Sequence, residues 1–196
     1  MDSRNREKMV RIGVQIMKKN QFIKTVIFFT LATVVRLIPH PPNFALMGGV
    51  SAWSGQQTQR KGTLRESLFL FWLRLLLMFG TALILGLHDQ IPGVYAGYIA
   101  IFLMGRIIPS NSQLGISFFR SIGFASLSTL LFFIISNSWV WYTTYQHSWS
   151  TLMECYTMAI PFLGNSFLGD LVAFQLFFVV PTALSISKPA VKIASK

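Results

Sequence analysis

The sequence predicts an all-α membrane protein, a bundle of six transmembrane helices. Three observations carry that prediction. Of 196 residues, 53% are hydrophobic and only 12% are charged, against about 25% charged in an ordinary soluble domain. The mean hydropathy is +0.54. Apolar runs alternate with short polar connections, and Lys and Arg fall on every other connection, as in chains that cross a bilayer repeatedly. Inside a bilayer each backbone N–H and C=O must find a partner within the protein, so the spans are helices.

The elements follow in order. Residues 1–21 form a basic cytoplasmic tail, and no small-residue cleavage pattern follows, so it is not read as a cleavable signal. Residues 22–187 form one transmembrane domain, and residues 188–196 a second basic tail. Segment one is Phe22 to Ile38, with Lys24 and Arg36 near its ends, where they can snorkel. "RLIPHPPNF" (36–44) follows: Pro39, Pro41 and Pro42 end one helix, and Asn43 can cap the next. Three prolines also make a stiff strap, cheap in entropy to close over a pocket. Segment two starts at Phe44, "FALMGGVSAWSG", with small residues one turn apart: Ala45 with Gly49, and Gly48 with Ala52. Such a face packs closely inside the protein or against a partner helix. Segment three runs from Ser67 to Leu87, with Arg74 expected to snorkel to the cytoplasmic surface or meet a partner. Segment four is Gly93 to Ile108, and segment five Leu114 to Ile135. An aromatic loop, 136–149, leads to "TLMECYTMAI" (151–160). That stretch is expected as an interfacial or re-entrant helix, broken off at Pro161 and Gly164. Segment six is Phe167 to Ile186.

Orientation comes from Lys and Arg. With six spans, the head (Arg4, Arg6, Lys8, Arg11, Lys18, Lys19, Lys24), Arg60, Lys61, Arg65, Arg106, Arg120, Lys188, Lys192 and Lys196 all face one side. The connections near His40, near His88 and Asp89, and from Ser136 to Ser150 hold no Lys or Arg. Both termini are therefore expected in the cytoplasm of a multi-pass membrane protein. The net charge of +11 is read as this topology signal, and nucleic acid is not expected as a partner. The lipid bilayer is. One cysteine, Cys155, excludes an intrachain disulfide framework and a Cys-rich metal site.

The polar residues expected on the outer side suggest a site. Asp89, Glu154 and Asp170 are three of the six acids, and His40, His88 and His147 are all the histidines. Arg36, Asn43, Asn137 and Asn165 join them. Ionisable groups near hydrocarbon cost about 2.5–3.5 kcal/mol each at mid-membrane, so their gathering suggests an outward polar cavity. Asp170 is either favoured by the dipole at the start of segment six or faces that cavity. His88 and Asp89 either cap segment four, with Pro92 in its first turn, or bind ligand. Trp141, Tyr142 and Tyr145 either anchor at the interface or stack on a flat ligand. His40 and Asn43 are expected within reach of Asp89 and Asp170. The substrate-binding set is thus Arg36, His40, Asn43, His88, Asp89, Asn137, Trp141, Tyr142, Glu154, Asn165 and Asp170.

"RLIPHPPNFALMGG", "LHDQIPGVYAGY", "SNSWVWY" and "ECYTMAIPFLGNSFLGDLVAF" appear in that order between residues 36 and 174. Together they resemble an uncharacterised bacterial membrane family that looks like the substrate-binding S components of energy-coupling factor transporters. The resemblance implies six helices, an outer vitamin or metal pocket, and a lid between helices one and two. It makes Arg36, His40 and Asn43 lid or rim residues. It also implies a membrane scaffold subunit and ATPases as partners. S components commonly carry an Ala-x-x-x-Ala face on helix one, whereas here the small-residue face is on segment two.

The expected function is a substrate-binding subunit for uptake of a small vitamin-like or precursor molecule. Alternatives are a divalent-metal uptake component, drawing on the His and acid residues, and a membrane assembly or structural protein. No G-x-x-x-x-G-K-[ST], H-E-x-x-H or G-x-S-x-G pattern occurs, so neither an enzyme nor a cofactor is expected.

Overall fold

The computed structural model describes residue 30 and residues 33–34, 37–39, 41–57, 64–109 and 118–180. Those residues hold five α-helices and no strand, so the chain is all-α there. The helices are α1 (Met47–Gln57), α2 (Leu64–Leu85), α3 (Ile91–Gly105), α4 (Phe118–Thr144) and α5 (Trp149–Phe174), the last continued by a π-helical turn, Gln175–Val179. The tails and most of segment one lie outside the described residues.

Among the described residues, two helices are long and apolar enough to cross a membrane: Phe118–Thr144 and the continuous Trp149–Val179. Only 22% and 33% of their most apolar windows are buried. Their apolar side chains thus point mainly outward, as Phe119 (82% exposed) and Met158 (67%) do. A soluble core helix would show the reverse. Helix α2 has the same two-sided character. Phe71, Arg74, Leu75, Met78, Thr81 and Ala82 form a buried stripe at three- and four-residue spacing, while Trp72, Leu76, Phe79 and Leu83 are exposed.

Three expectations need correction. Six full spans are not supported. Segment two is the 11-residue helix α1, only about 16 Å long, half of a ~30 Å hydrocarbon core. Its composition explains this: a run of Gly, Ser and Ala is too small and polar for a lipid-facing span, but it suits a helix enclosed by others. Nearly every α1 residue is buried. Helix α3 packs so closely that a methyl added at Gly105 would lie 2.7 Å from the Ala52 carbonyl carbon. On another side, one added at Gly49 would lie 3.0 Å from the backbone of Ala173 on α5.

The aromatic loop is mostly helix. Helix α4 runs nine residues past Ile135, to Thr144. The added turns gain partners on α5 and α3. Trp141 Nε1 donates to Thr151 Oγ1 (3.2 Å), the Ser138 and Tyr156 hydroxyls bond at 2.8 Å, and Trp139 packs on Gly93 of α3 and donates from Nε1 to the Asp89 carbonyl just before that helix (2.9 Å). The true turn is Tyr145–Ser148, closed by a reciprocal capping box between Ser148 and Thr151.

The re-entrant break is absent too: α5 passes through Pro161 without interruption. The proline is exposed, so its ring projects outward rather than into a neighbouring helix. Gly164 has open space around it and turns nothing. Where apolar surroundings offer no alternative hydrogen-bond partners, one missing N–H does not unwind a helix. The described part of segment six, from Phe167 to Val179, therefore continues α5 and its π-helical turn.

Helices α4 and α5 lie antiparallel, with Trp141 beside Thr151, Ser138 beside Tyr156, Thr129 beside Asp170 and Ser121 beside Gln175. At one end, Gln56 Nε2 donates to the Pro109 carbonyl (2.8 Å) and Gln175 Nε2 donates to Ser121 Oγ (2.7 Å). Trp53 meets Phe177 there, ring centroids 5.7 Å apart. The helix ends that adjoin the basic connections thus gather at one end of the bundle. The core between them is built on Met47, Val50, Ile101, Ala125 and Phe174.

Candidate functional site

Helix α1 starts in the middle of the bundle, and its start is where polar groups meet. Asp170 of α5 is 5% exposed. Its Oδ2 accepts from Thr129 Oγ1 of α4 at 3.1 Å. The amides of Gly48 and Gly49, in the first turn of α1, face the same carboxyl. Ser128 Oγ, fully buried, also faces it but does not reach hydrogen-bond geometry. The approach needs glycine: a methyl at Gly48 would lie 2.6 Å from Asp170 Cγ and Oδ2, and closer still to Oδ1. Unpaired first-turn amides and the helix dipole both favour a negative group there, by up to ~2 kcal/mol where partly buried. The dipole reading of Asp170 thus has the right physics and the wrong helix. Asp170 lies deep in α5 and sits at the N-terminus of α1.

Above this point lies a small cavity of about 20 Å³, lined in part by Asn43, Gly48, Tyr98, Thr129, Ser166 and Asp170. It has room for roughly one water. The 41–44 strap covers it. Asn165 Nδ2 donates to the Pro42 carbonyl (3.0 Å) and Ser166 Oγ to the Asn43 carbonyl (3.3 Å). The strap turns on itself, Phe44 N donating to the Pro41 carbonyl (3.0 Å). Pro42 and Asn43 occupy the centre of that turn, and Asn43 takes φ 62°. A proline followed by Asn or Gly suits a turn whose third residue is left-handed. Asn43 therefore shapes the strap and does not cap α1, which begins four residues later.

One helical turn further along α1, Ser51 Oγ accepts a hydrogen bond from Arg74 Nη1 of α2. Arg74 is fully buried. Its guanidinium lies against two rings, 5.6 Å from Phe71 and 5.2 Å from Tyr98. No group among the described residues meets its Nε or Nη2. Tyr98 is common to both places, lining the Asp170 cavity and covering Arg74. Leaving a charge in a bundle interior without a counter-charge costs several kcal/mol.

The expected site residues divide into three described groups and one pair outside the described residues. Asn43, Asn165 and Asp170 come together. Asn137, Trp141, Tyr142 and Glu154 lie on the outer α4–α5 hairpin, about 12–24 Å further along than Thr129 and Asp170. There Asn137 Nδ2 donates to its own helix at Phe133 (2.8 Å), and Tyr142 stacks on His147 at 5.2 Å. Glu154 is exposed. His88 and Asp89 are exposed at the start of α3, level with Trp139 and not with Asp170, and neither caps the helix, whose N-cap is Gln90. Arg36 and His40 lie outside the described residues. Among the described residues no group of three His, Cys, Asp or Glu could hold a metal. Sequence reasoning missed Ser51, Tyr98 and Thr129, which sit in apolar runs without distinguishing pattern. Arg74 did carry a signal. It stands ten residues into α2, ~15 Å from the start, beyond the reach of a snorkelling side chain.

The model of a family of unknown function, DUF6580, matches residues 17–191. The chain belongs to the DUF6580 family. That match spans the strap, Arg74 and Asp170 alike, so the buried polar groups lie inside the family's own region. No curated protein and no solved structure matches the chain.

Proposed function

We propose that this DUF6580 protein is a multi-pass membrane protein that captures a small polar molecule for uptake, from the side covered by the 41–44 strap. One observation carries the reading. Two side chains of the charged residue types, Asp170 and Arg74, are buried one α1 turn apart in a helical bundle whose other buried polar groups, among the described residues, are hydroxyls and one amide. Such groups are costly in a membrane interior and mark substrate pathways there. A helix that begins midway through the bundle, with its first amides on a polar centre, is the arrangement by which membrane transporters hold polar solutes. The basic connections adjoin the opposite end, which supports a cytoplasmic side there, with both termini on it as the charge pattern of the sequence suggests. The site then opens outward beneath the strap. A membrane scaffold subunit and ATPases as partners rest on the resemblance to S components alone.

The experiment is mass spectrometry of small molecules carried through gentle purification of the full chain, compared with Asp170→Ala purified to the same helix content. A polar metabolite enriched on the wild type and lost from the variant supports capture. A wild-type preparation that carries none, and that no member of a metabolite library stabilises against heat, overturns it.

A second reading has its own observation. An open, largely apolar groove of about 370 Å³ runs between α3 and α4, walled by Gly93, Ile135, Trp139 and Tyr142. It suits a helix of a partner protein, so an assembly role stands as the alternative.

A further inference from the structure

We propose that Arg74 receives a carboxylate, so that the captured molecule is a small carboxylic acid held at its anionic end inside the bundle. This rests on the capture reading above and names its substrate class.

The geometry of the guanidinium decides the chemistry. Arg74 Nη1 is engaged with Ser51 Oγ, whereas Nε and Nη2 have no partner among the described residues. Those two nitrogens share one edge of the guanidinium plane. Their N–H bonds run parallel, at the spacing of the two oxygens of a carboxylate, so the open edge is the bidentate one. The rings of Phe71 and Tyr98 lie on the guanidinium at 5.6 Å and 5.2 Å. The unpaired edge is where an anion would bond, and a carboxylate matches it with both oxygens; a multiply charged phosphate carries the larger cost of leaving water for a buried site.

Among the described acid side chains, none supplies the charge. Asp170 is committed to Thr129 and the α1 amides. Asp89 and Glu154 are exposed on the outer side. Glu66 lies on α2 itself, eight residues away and about 12 Å along the axis. The access route runs through Tyr98, whose ring separates Arg74 from the Asp170 cavity. A swing of that ring joins the two, which makes Tyr98 the partition between the strap-covered cavity and the arginine.

The test uses the full chain in detergent, its unfolding midpoint followed with acetate and benzoate. Acetamide and benzamide serve as uncharged counterparts, sodium chloride as the salt control, and inorganic phosphate as the competing anion. The expected result is a rise of about 3 °C or more with a carboxylate at saturating concentration, and none with its amide. Arg74→Gln abolishes the rise. Arg74→Lys, which keeps the charge and loses the fork, retains only a fraction of it. Arg74→Gln is also expected to unfold at an equal or higher temperature without ligand, so a missing response is not a folding defect. A rise with phosphate alone overturns the carboxylate class. No rise with either carboxylate, or an equal rise in Arg74→Gln, overturns the site. The mass-spectrometric experiment keeps the two proposals apart. A co-purified neutral or cationic molecule leaves capture standing without the carboxylate, and no bound molecule together with no stabilising metabolite removes both.

Discussion

Gly48→Ala isolates the contact on which the buried centre depends. The added methyl would stand 2.6 Å from Asp170 Cγ and Oδ2, so either the carboxyl or the start of α1 must move. Overpacking at such a place costs about 1–3 kcal/mol. Displacing the carboxyl also breaks its 3.1 Å bond from Thr129, worth about 1.5–3 kcal/mol for an ionised acceptor. Alanine returns about 1 kcal/mol of helix propensity. The net expectation is a loss of about 1.5–5 kcal/mol. Unfolding by increasing SDS fraction in mixed micelles, followed by helix content, measures it. Asp170→Ala removes the obstructing carboxyl, so Gly48→Ala should cost little in that background. The double-mutant coupling should then exceed about 1.5 kcal/mol. A single-mutant cost below about 1 kcal/mol, or additivity within about 0.5 kcal/mol, would refute the argument that glycine is there to admit Asp170.

Two further outcomes follow from the corrected fold. Pro161→Ala should stabilise the chain by about 1–3 kcal/mol in the same assay, because it restores a hydrogen bond in an unbroken helix; a loss of stability would mean that the proline serves as a break. Asn165→Ala and Ser166→Ala should each loosen the strap by about 1 kcal/mol, read as roughly fivefold faster hydrogen exchange over residues 41–46, and unchanged exchange there would show that the two bonds do not hold it.

Much of this was legible in the sequence, and the exceptions have physical causes. Composition sufficed for an all-α chain with outward apolar faces, because only helices satisfy backbone groups in apolar surroundings. The strap was legible from its prolines, and its approach to Asp170 followed from the pooling of polar residues on one side. Helix ends were not. "SNSWVWYTT" reads as an interfacial loop, yet it continues α4 because its side chains meet α5 and α3, contacts that no local pattern encodes. Pro161 reads as a stop, yet its exposed side of α5 lets the helix pass. Arg74 was visible but misassigned. In "LFLFWLRLLLMFGTALIL" nearly every position is apolar, so the inward stripe that carries Arg74 has no polar face to contrast with.

The two buried charges are connected through the composition of α1. A larger-residue helix could not begin inside the bundle, because Gly48 must admit the Asp170 carboxyl and Gly49 the backbone of Ala173. A helix that began at the surface would carry its first amides to solvent, and Asp170 would lose the donors that make its burial tolerable. The same small residues bring Ser51 within reach of Arg74. Asp170 is thereby satisfied by the fold itself, through Thr129 and the α1 start. Arg74 is satisfied on one nitrogen only. That asymmetry assigns them different work: the carboxyl anchors α1 and the strap above it, and the arginine remains the group with bonding capacity to spare. Replacing Asp170 should therefore damage stability first, whereas replacing Arg74 should spare stability and remove recognition.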